Sequence, residues 1–122
     1  MEMMPIEVRH ILFDETEVQA ALVAYHRRRV ASHRQLSVAE LRIEDYPQLR
    51  GFLSFLDQDG QLEVAEFGRV EMAAALILHC RQLRVPLPAK ATKELRVYGQ
   101  RGLCLTLSLN APPSLAQALA PH

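Results

Sequence analysis

Glu71-Met72-Ala73-Ala74-Ala75-Leu76 restates, 54 residues later, the stretch Glu17-Val18-Gln19-Ala20-Ala21-Leu22. Extended outward at the same offset without a gap, the match pairs Phe13 with Phe67, Arg27 with Arg81, and Glu40-Leu41-Arg42 with Glu94-Leu95-Arg96. It then reaches Leu49 with Leu103 and Leu53-Ser54 with Leu107-Ser108, giving twelve identities over the 44 positions from Phe13 to Leu56. Leu and Ala inflate such counts, so the Phe, Arg and Glu pairs carry the inference of an internal duplication, the feature to seek first in any chain.

Each copy then reads as a β-α-β-β unit, about Ile6 to Asp57 and Gly60 to Asn110. Asp14 followed by Glu17 has the form of a capping box ahead of a helix from Glu15 to Arg29. The second helix starts at Gly68, a weaker cap, with Glu71 complementing the helix dipole. Val18, Ala21, Leu22 and Tyr25 fall at the spacing of a buried helical face, and Met72, Ala75, Leu76 and His79 repeat it. The second helix is apolar over a wider arc, with Ala73, Ala74, Ile77 and Leu78, so cover on more than one side is expected.

Strands are expected at Ile6–Phe13, Leu36–Glu44, Leu49–Leu56, Leu62–Phe67, Glu94–Tyr98 and Leu103–Leu109. Asp45-Tyr46-Pro47-Gln48 reads as a turn, because proline removes a ladder donor. Gly99-Gln100-Arg101-Gly102 reads as a hairpin connection. Leu103, Leu105, Leu107 and Leu109 alternate with Cys104, Thr106, Ser108 and Asn110, the pattern of a half-buried strand with a polar outer face. The matching strand carries Phe52 and Leu56 on its nominal outer face, which suggests a covered surface there. Glu40 and Arg42, like Glu94 and Arg96, fall opposite Leu41, Ile43, Leu95 and Val97 as an exposed charge ladder.

The expected fold class is therefore α+β: internally duplicated β-α-β-β units forming one mainly antiparallel six-stranded sheet with two packed helices. One domain over residues 1–122 suits the length, and a tail from Ala111 reads as either a short covering helix or a frayed end. Apolar content of 49% and charged content of 23% are those of a globular chain. A formal net charge of zero gives no global steering toward nucleic acid or an anionic membrane. The N-terminal residues lack the apolar core of a signal peptide. The longest apolar run, Met72 to Leu78, falls far short of the roughly 20 residues that span a bilayer. Cys80 and Cys104 form no closely spaced pair, which points to a reducing, cytoplasmic setting.

Four local features bear on function. Asp57-Gln58-Asp59-Gly60-Gln61-Leu62, with Glu66 beyond, resembles an EF-hand loop over about a dozen residues, making Asp57, Asp59 and Glu66 a weak calcium candidate. In one register Phe55 stands at the first ligand position, and in the other Leu62 and Gly68 replace the required glycine and glutamate. A hairpin turn built on Asp59-Gly60 as a type I′ pair is the favoured reading.

Arg27, Arg28, Arg29 and Arg34 form the densest basic cluster, a candidate anion or nucleic-acid contact, but cations at a helix C-terminus also satisfy its last carbonyls. His79 with Cys80 lacks further spaced ligands, and Cys104 lacks an identified base, so neither metal nor nucleophile is assigned. No Gly-rich phosphate loop, nucleophile elbow or metalloprotease spacing is present, and no cofactor is implied.

The function expected is a non-catalytic protein-interaction or regulatory module that self-associates as a homodimer. Its surface is placed at Phe52, Leu56, Ala73, Leu78 and His79, where the two copies differ. Anion or nucleic-acid binding through the arginines is the alternative, and calcium binding the next.

Overall fold

The structure, a computed structural model, describes residues 5–30 and 36–110. His33, Arg34 and the tail expected from Ala111 lie outside the described residues. The elements run β1 (Glu7–Phe13), α1 (Glu15–Arg29), β2 (Ser37–Glu44), β3 (Arg50–Leu56), β4 (Leu62–Gly68), α2 (Arg69–Gln82), β5 (Thr92–Tyr98) and β6 (Gly102–Leu109). Asp14 caps α1 by accepting from the Glu17 amide at 2.8 Å. At the start of α2 the Glu71 carboxylate accepts from the Gly68 amide at 3.1 Å. Each helix thus makes one leg of the reciprocal box, and glycine leaves the second only that leg.

The strands form two three-stranded antiparallel sheets, in the orders β1-β6-β5 and β2-β3-β4, in place of the single six-stranded sheet expected. The reason lies in the link from Leu56 to Leu62. Gly60 donates to the Asp57 carbonyl, Asp57 donates to the Gln61 carbonyl, and Gly60 has φ +75°. This is a three-residue hairpin loop closed by a left-handed glycine, not the expected type I′ pair, since Asp59 does not share the positive φ. A link this short holds β4 antiparallel against β3, so the sheet fills before α2 begins. β1 in turn pairs with β6, at the far end of the chain.

The first strand of each half therefore completes the hairpin of the other half. The registers correspond: Leu41 opposite Leu53 matches Leu95 opposite Leu105, and Phe67 opposite Gly51 matches Phe13 opposite Leu103. Residue numbers rise by 54 from β1 to β4 and from β2 to β5, but by 52 from β3 to β6. The ungapped alignment thus slips after Glu44, where the first half holds two more residues in its hairpin loop. Gly51, not Leu49, stands where Leu103 stands. Because two residues is one strand period, the slip leaves every side chain on its expected face.

The helices pack against each other and against the inner sheet faces. The notch between them is lined by Ala21 and Ala75, Ala24 and Leu78, Tyr25 and His79, Arg28 and Gln82, four pairs at the 54-residue offset. Phe13 meets the His79 ring at 6.3 Å, and Phe67 meets the Tyr25 ring at 6.4 Å, again equivalent positions. Glu17 approaches His79 while Glu71 pairs with Arg29, so the start of each helix lies beside the end of the other. One continuous apolar core includes Phe13, Leu22, Leu53, Phe67, Leu76 and Leu105 from both helices and both sheets.

The expected half-burial of β6 is corrected. Cys104, Thr106 and Ser108 are only 1%, 2% and 4% exposed, so the strand is buried on both faces. Close approach also explains Gly102, where an added Cβ would lie 2.6 Å from the Tyr98 carbonyl oxygen and 2.7 Å from that of Phe13. At Gly51 the nearest atom, 2.7 Å away, is the flexible Met72 sulfur. We predict that Gly102→Ala lowers stability to urea by about 1–3 kcal/mol through overpacking against backbone. Gly51→Ala should cost less, because the thioether can swing aside.

Candidate interaction surface

The outer face of the β2-β3-β4 sheet follows from its register. Across the strands it presents the rows Glu44–Arg50–Gly68, Arg42–Phe52–Glu66, Glu40–Ser54–Val64 and Ser37–Leu56–Leu62. The alternation that buries Leu41, Leu53 and Phe67 forces these residues outward. One end of the face is charged and the other apolar. Arg42 lies over the Phe52 ring at 4.5 Å and reaches Glu44 at 3.4 Å, while Arg50 pairs with Glu66. Leu62 is 63%, Val64 55% and Leu56 42% exposed.

The sequence suggests a covered surface at Phe52 and Leu56; within the single chain Leu56 is exposed and Phe52 half-buried. On the matching face of the other sheet the centre is closed, with Cys104, Thr106 and Ser108 buried, while Val8 and Leu12 on its β1 edge are 41% and 50% exposed. There His10 Nδ1 lies 2.9 Å from the Thr106 hydroxyl and 3.9 Å from the Cys104 sulfur. This cluster escaped sequence reasoning, because only the β1–β6 pairing brings residues 10, 104 and 106 together. The alternating pattern of β6 identified the face, but not its neighbour 94 and 96 residues away along the chain. The Cys104 thiol is 1% exposed, so its contact with the imidazole is closed to solvent.

The five residues expected to form one surface fall in two places. Phe52 and Leu56 are on the open sheet face. Leu78 and His79 line the interhelical notch, and Ala73 packs against the core from the same helix. The divergence of α2 from α1 therefore serves the fit between the helices.

The basic cluster is similarly divided. Arg29 pairs with Glu71 and lies 5.5 Å from the Tyr25 ring centre and 5.2 Å from that of Phe67. Arg28 lines the notch, and Arg27 is exposed. Asp57 Oδ1 accepts from the amides of Asp59 and Gln61, shaping the turn, while Glu66 is paired with Arg50 on the sheet. Among the described residues, no three His, Cys, Asp or Glu side chains come together as a metal site.

An open groove beside Pro47, Gln48 and the start of α2 contains Arg50, Glu66, Arg69 and Glu71. Arg50 pairs with Glu66 and Glu71 with Arg29, while Arg69 donates to the neutral Leu95 carbonyl.

The half-buried His26 and the buried Cys80 occupy matching positions and use them differently. His26 stacks on Phe55, with ring centres 5.1 Å apart, and meets Phe67 edge-on. Burial pushes its pKa below the ordinary histidine value; Arg29 adds to this and Glu63 opposes it. Cys80 stands at the matching position, where burial raises the thiol pKa against the opposing pull of Arg9. Compared with protein-family models, with curated proteins and with solved structures, the chain finds no match in any of the three.

The lowered His26 pKa fixes the sign of a pH effect. The folded state holds the imidazole neutral, so its contribution is complete above the unfolded value of 6.5 and declines as pH falls below it. Urea midpoints should therefore fall between neutral and mildly acidic pH. In His26→Phe, which keeps a stacked ring without the titration, that fall should be shallower.

Proposed function

We propose that the chain is a small non-catalytic protein-interaction module that self-associates, assembled by duplication of a β-α-β-β unit. The observation that carries this reading is the open sheet face, where Leu56, Leu62 and Val64 stand exposed beside Phe52. Contiguous exposed apolar side chains rimmed by charge mark contact surfaces more often than isolated ones. Fully covering a leucine or valine side chain is worth about 1.5–3 kcal/mol, so this face has a direct drive to be occluded.

The duplication is supported by the matched registers, the four residue pairs in the interhelical notch and the paired aromatic contacts. In the ancestral arrangement two copies of one unit would have exchanged their first strands, as the two halves do here. A homodimer in the cytoplasm is the setting this reading favours, and the unpaired thiols of Cys80 and Cys104 suit it. Binding of anions or nucleic acid has less support, because Arg29 is committed to Glu71 and Tyr25.

Sedimentation velocity tests the self-association. The weight-average sedimentation coefficient should rise with concentration across the micromolar range toward that of a dimer. A coefficient fixed at the monomer value throughout would contradict it.

A further inference from the structure

We propose that the occupant of the open sheet face is the same face of a second copy, with β3 lying over β3 of that copy about a twofold axis along the strand. The inference rests on the self-association reading and specifies its interface.

The order of residues across the sheet makes the face match itself. The central row is Arg42 on β2, Phe52 on β3 and Glu66 on β4. A twofold axis parallel to β3 places β4 of the second copy over β2 of the first. Arg42 then faces Glu66 of the second copy, Glu66 faces Arg42 of the second copy, and the Phe52 rings meet on the axis. The row is its own complement, as an interface between identical faces requires.

The neighbouring row, Glu40–Ser54–Val64, sets Ser54 against Ser54 on the axis and Val64 over Glu40 of the second copy, and the apolar row beyond it follows the same operation. Leu56 meets Leu56 on the axis, and Leu62 lies over Ser37. The charged end row is the least matched, since it brings Arg50 toward Arg50, but each guanidinium retains its own Glu66. Facing sheets cross at about 30°, so correspondence is tightest at the central row and opens toward the ends.

On the matching face of the other sheet the equivalent row, Arg96–Cys104–Leu12, has a cation on one side and no anion on the other, although the next row, Glu94–Thr106–His10, sets a carboxylate across from an imidazole. Its centre is also already closed, with Cys104 and Thr106 buried. Of the two faces, that of β2-β3-β4 combines an open central strand with an Arg–Glu row that complements itself.

Size sets the expected strength. Three strands spaced about 4.8 Å and seven residues rising about 3.4 Å each give a face near 340 Å² in plan. Two such faces, with side-chain relief, bury on the order of 1,000 Å², the lower end for specific complexes, so a micromolar dimer is expected.

A charge exchange decides the matter. Arg42→Glu alone and Glu66→Arg alone each place like charges opposite one another twice in the homodimer, and each should weaken dimerisation at least tenfold. Mixing the two singly substituted proteins restores both pairs, so a heterodimer of wild-type strength should appear in sedimentation equilibrium. Leu56→Lys, which sets two cations on the axis, should also dissociate the dimer, and circular dichroism melts identify any variant that fails to fold.

If the wild type dimerises but none of these substitutions changes its dissociation constant, this face is not the interface, although self-association stands. If the single variants weaken the dimer and mixing restores nothing, the proposed axis is wrong. A wild-type chain that stays monomeric removes the second copy and the self-association together, leaving a different protein as the occupant.

Discussion

The turn from Asp57 to Gln61 is the constraint on which the rest of this fold depends. The Asp57 carboxylate gathers the amides of Asp59 and Gln61, and Gly60 supplies the left-handed residue that closes the loop. With so little chain between Leu56 and Leu62, β4 has only one place to go, beside β3. That removes the second half's first strand from its own hairpin. The edge of β6 left vacant is taken by β1 from the first half. The exchange ties the chain's beginning to its end and sets the helices side by side over one core.

Much of this was legible in the sequence, and the failures have specific causes. The limits of α1 and α2 could be read from Asp14, Gly68 and the 3.6-residue apolar spacing, because capping and amphipathicity are local. Strand positions were legible for the same reason. Partnership between strands was not: a repeat shows that two segments resemble each other, not whether each half pairs within itself. The two-residue slip was masked because it preserves facing, so Leu53 looks as well matched to Leu107 as to Leu105, which holds the same place in the strand register. The His10, Thr106 and Cys104 cluster was invisible because it depends wholly on the β1–β6 pairing.

Where the halves agree, the agreement is in packing. Phe13 with His79 and Phe67 with Tyr25 are matched aromatic contacts at the two ends of the helix pair. Where they differ, the difference is either compensated or left open. Gly51 admits Met72 at a position where the other half sets Leu103. No such compensation reaches the outer face of the β2-β3-β4 sheet. There Phe52 and Leu56 replace Cys104 and Ser108, and larger apolar groups meet solvent. The asymmetry of an otherwise matched pair of sheets is therefore concentrated on a surface, where a binding role has room to arise.

The strand exchange itself is tested most directly by cross-strand nuclear Overhauser effects in the labelled protein in solution. The structure requires backbone contacts between residues 11 and 105 and between residues 53 and 65, which place β1 on β6 and β4 on β3. Contacts from β1 to β3, or from β4 to β6, would mean that each half pairs within itself, and would contradict the account.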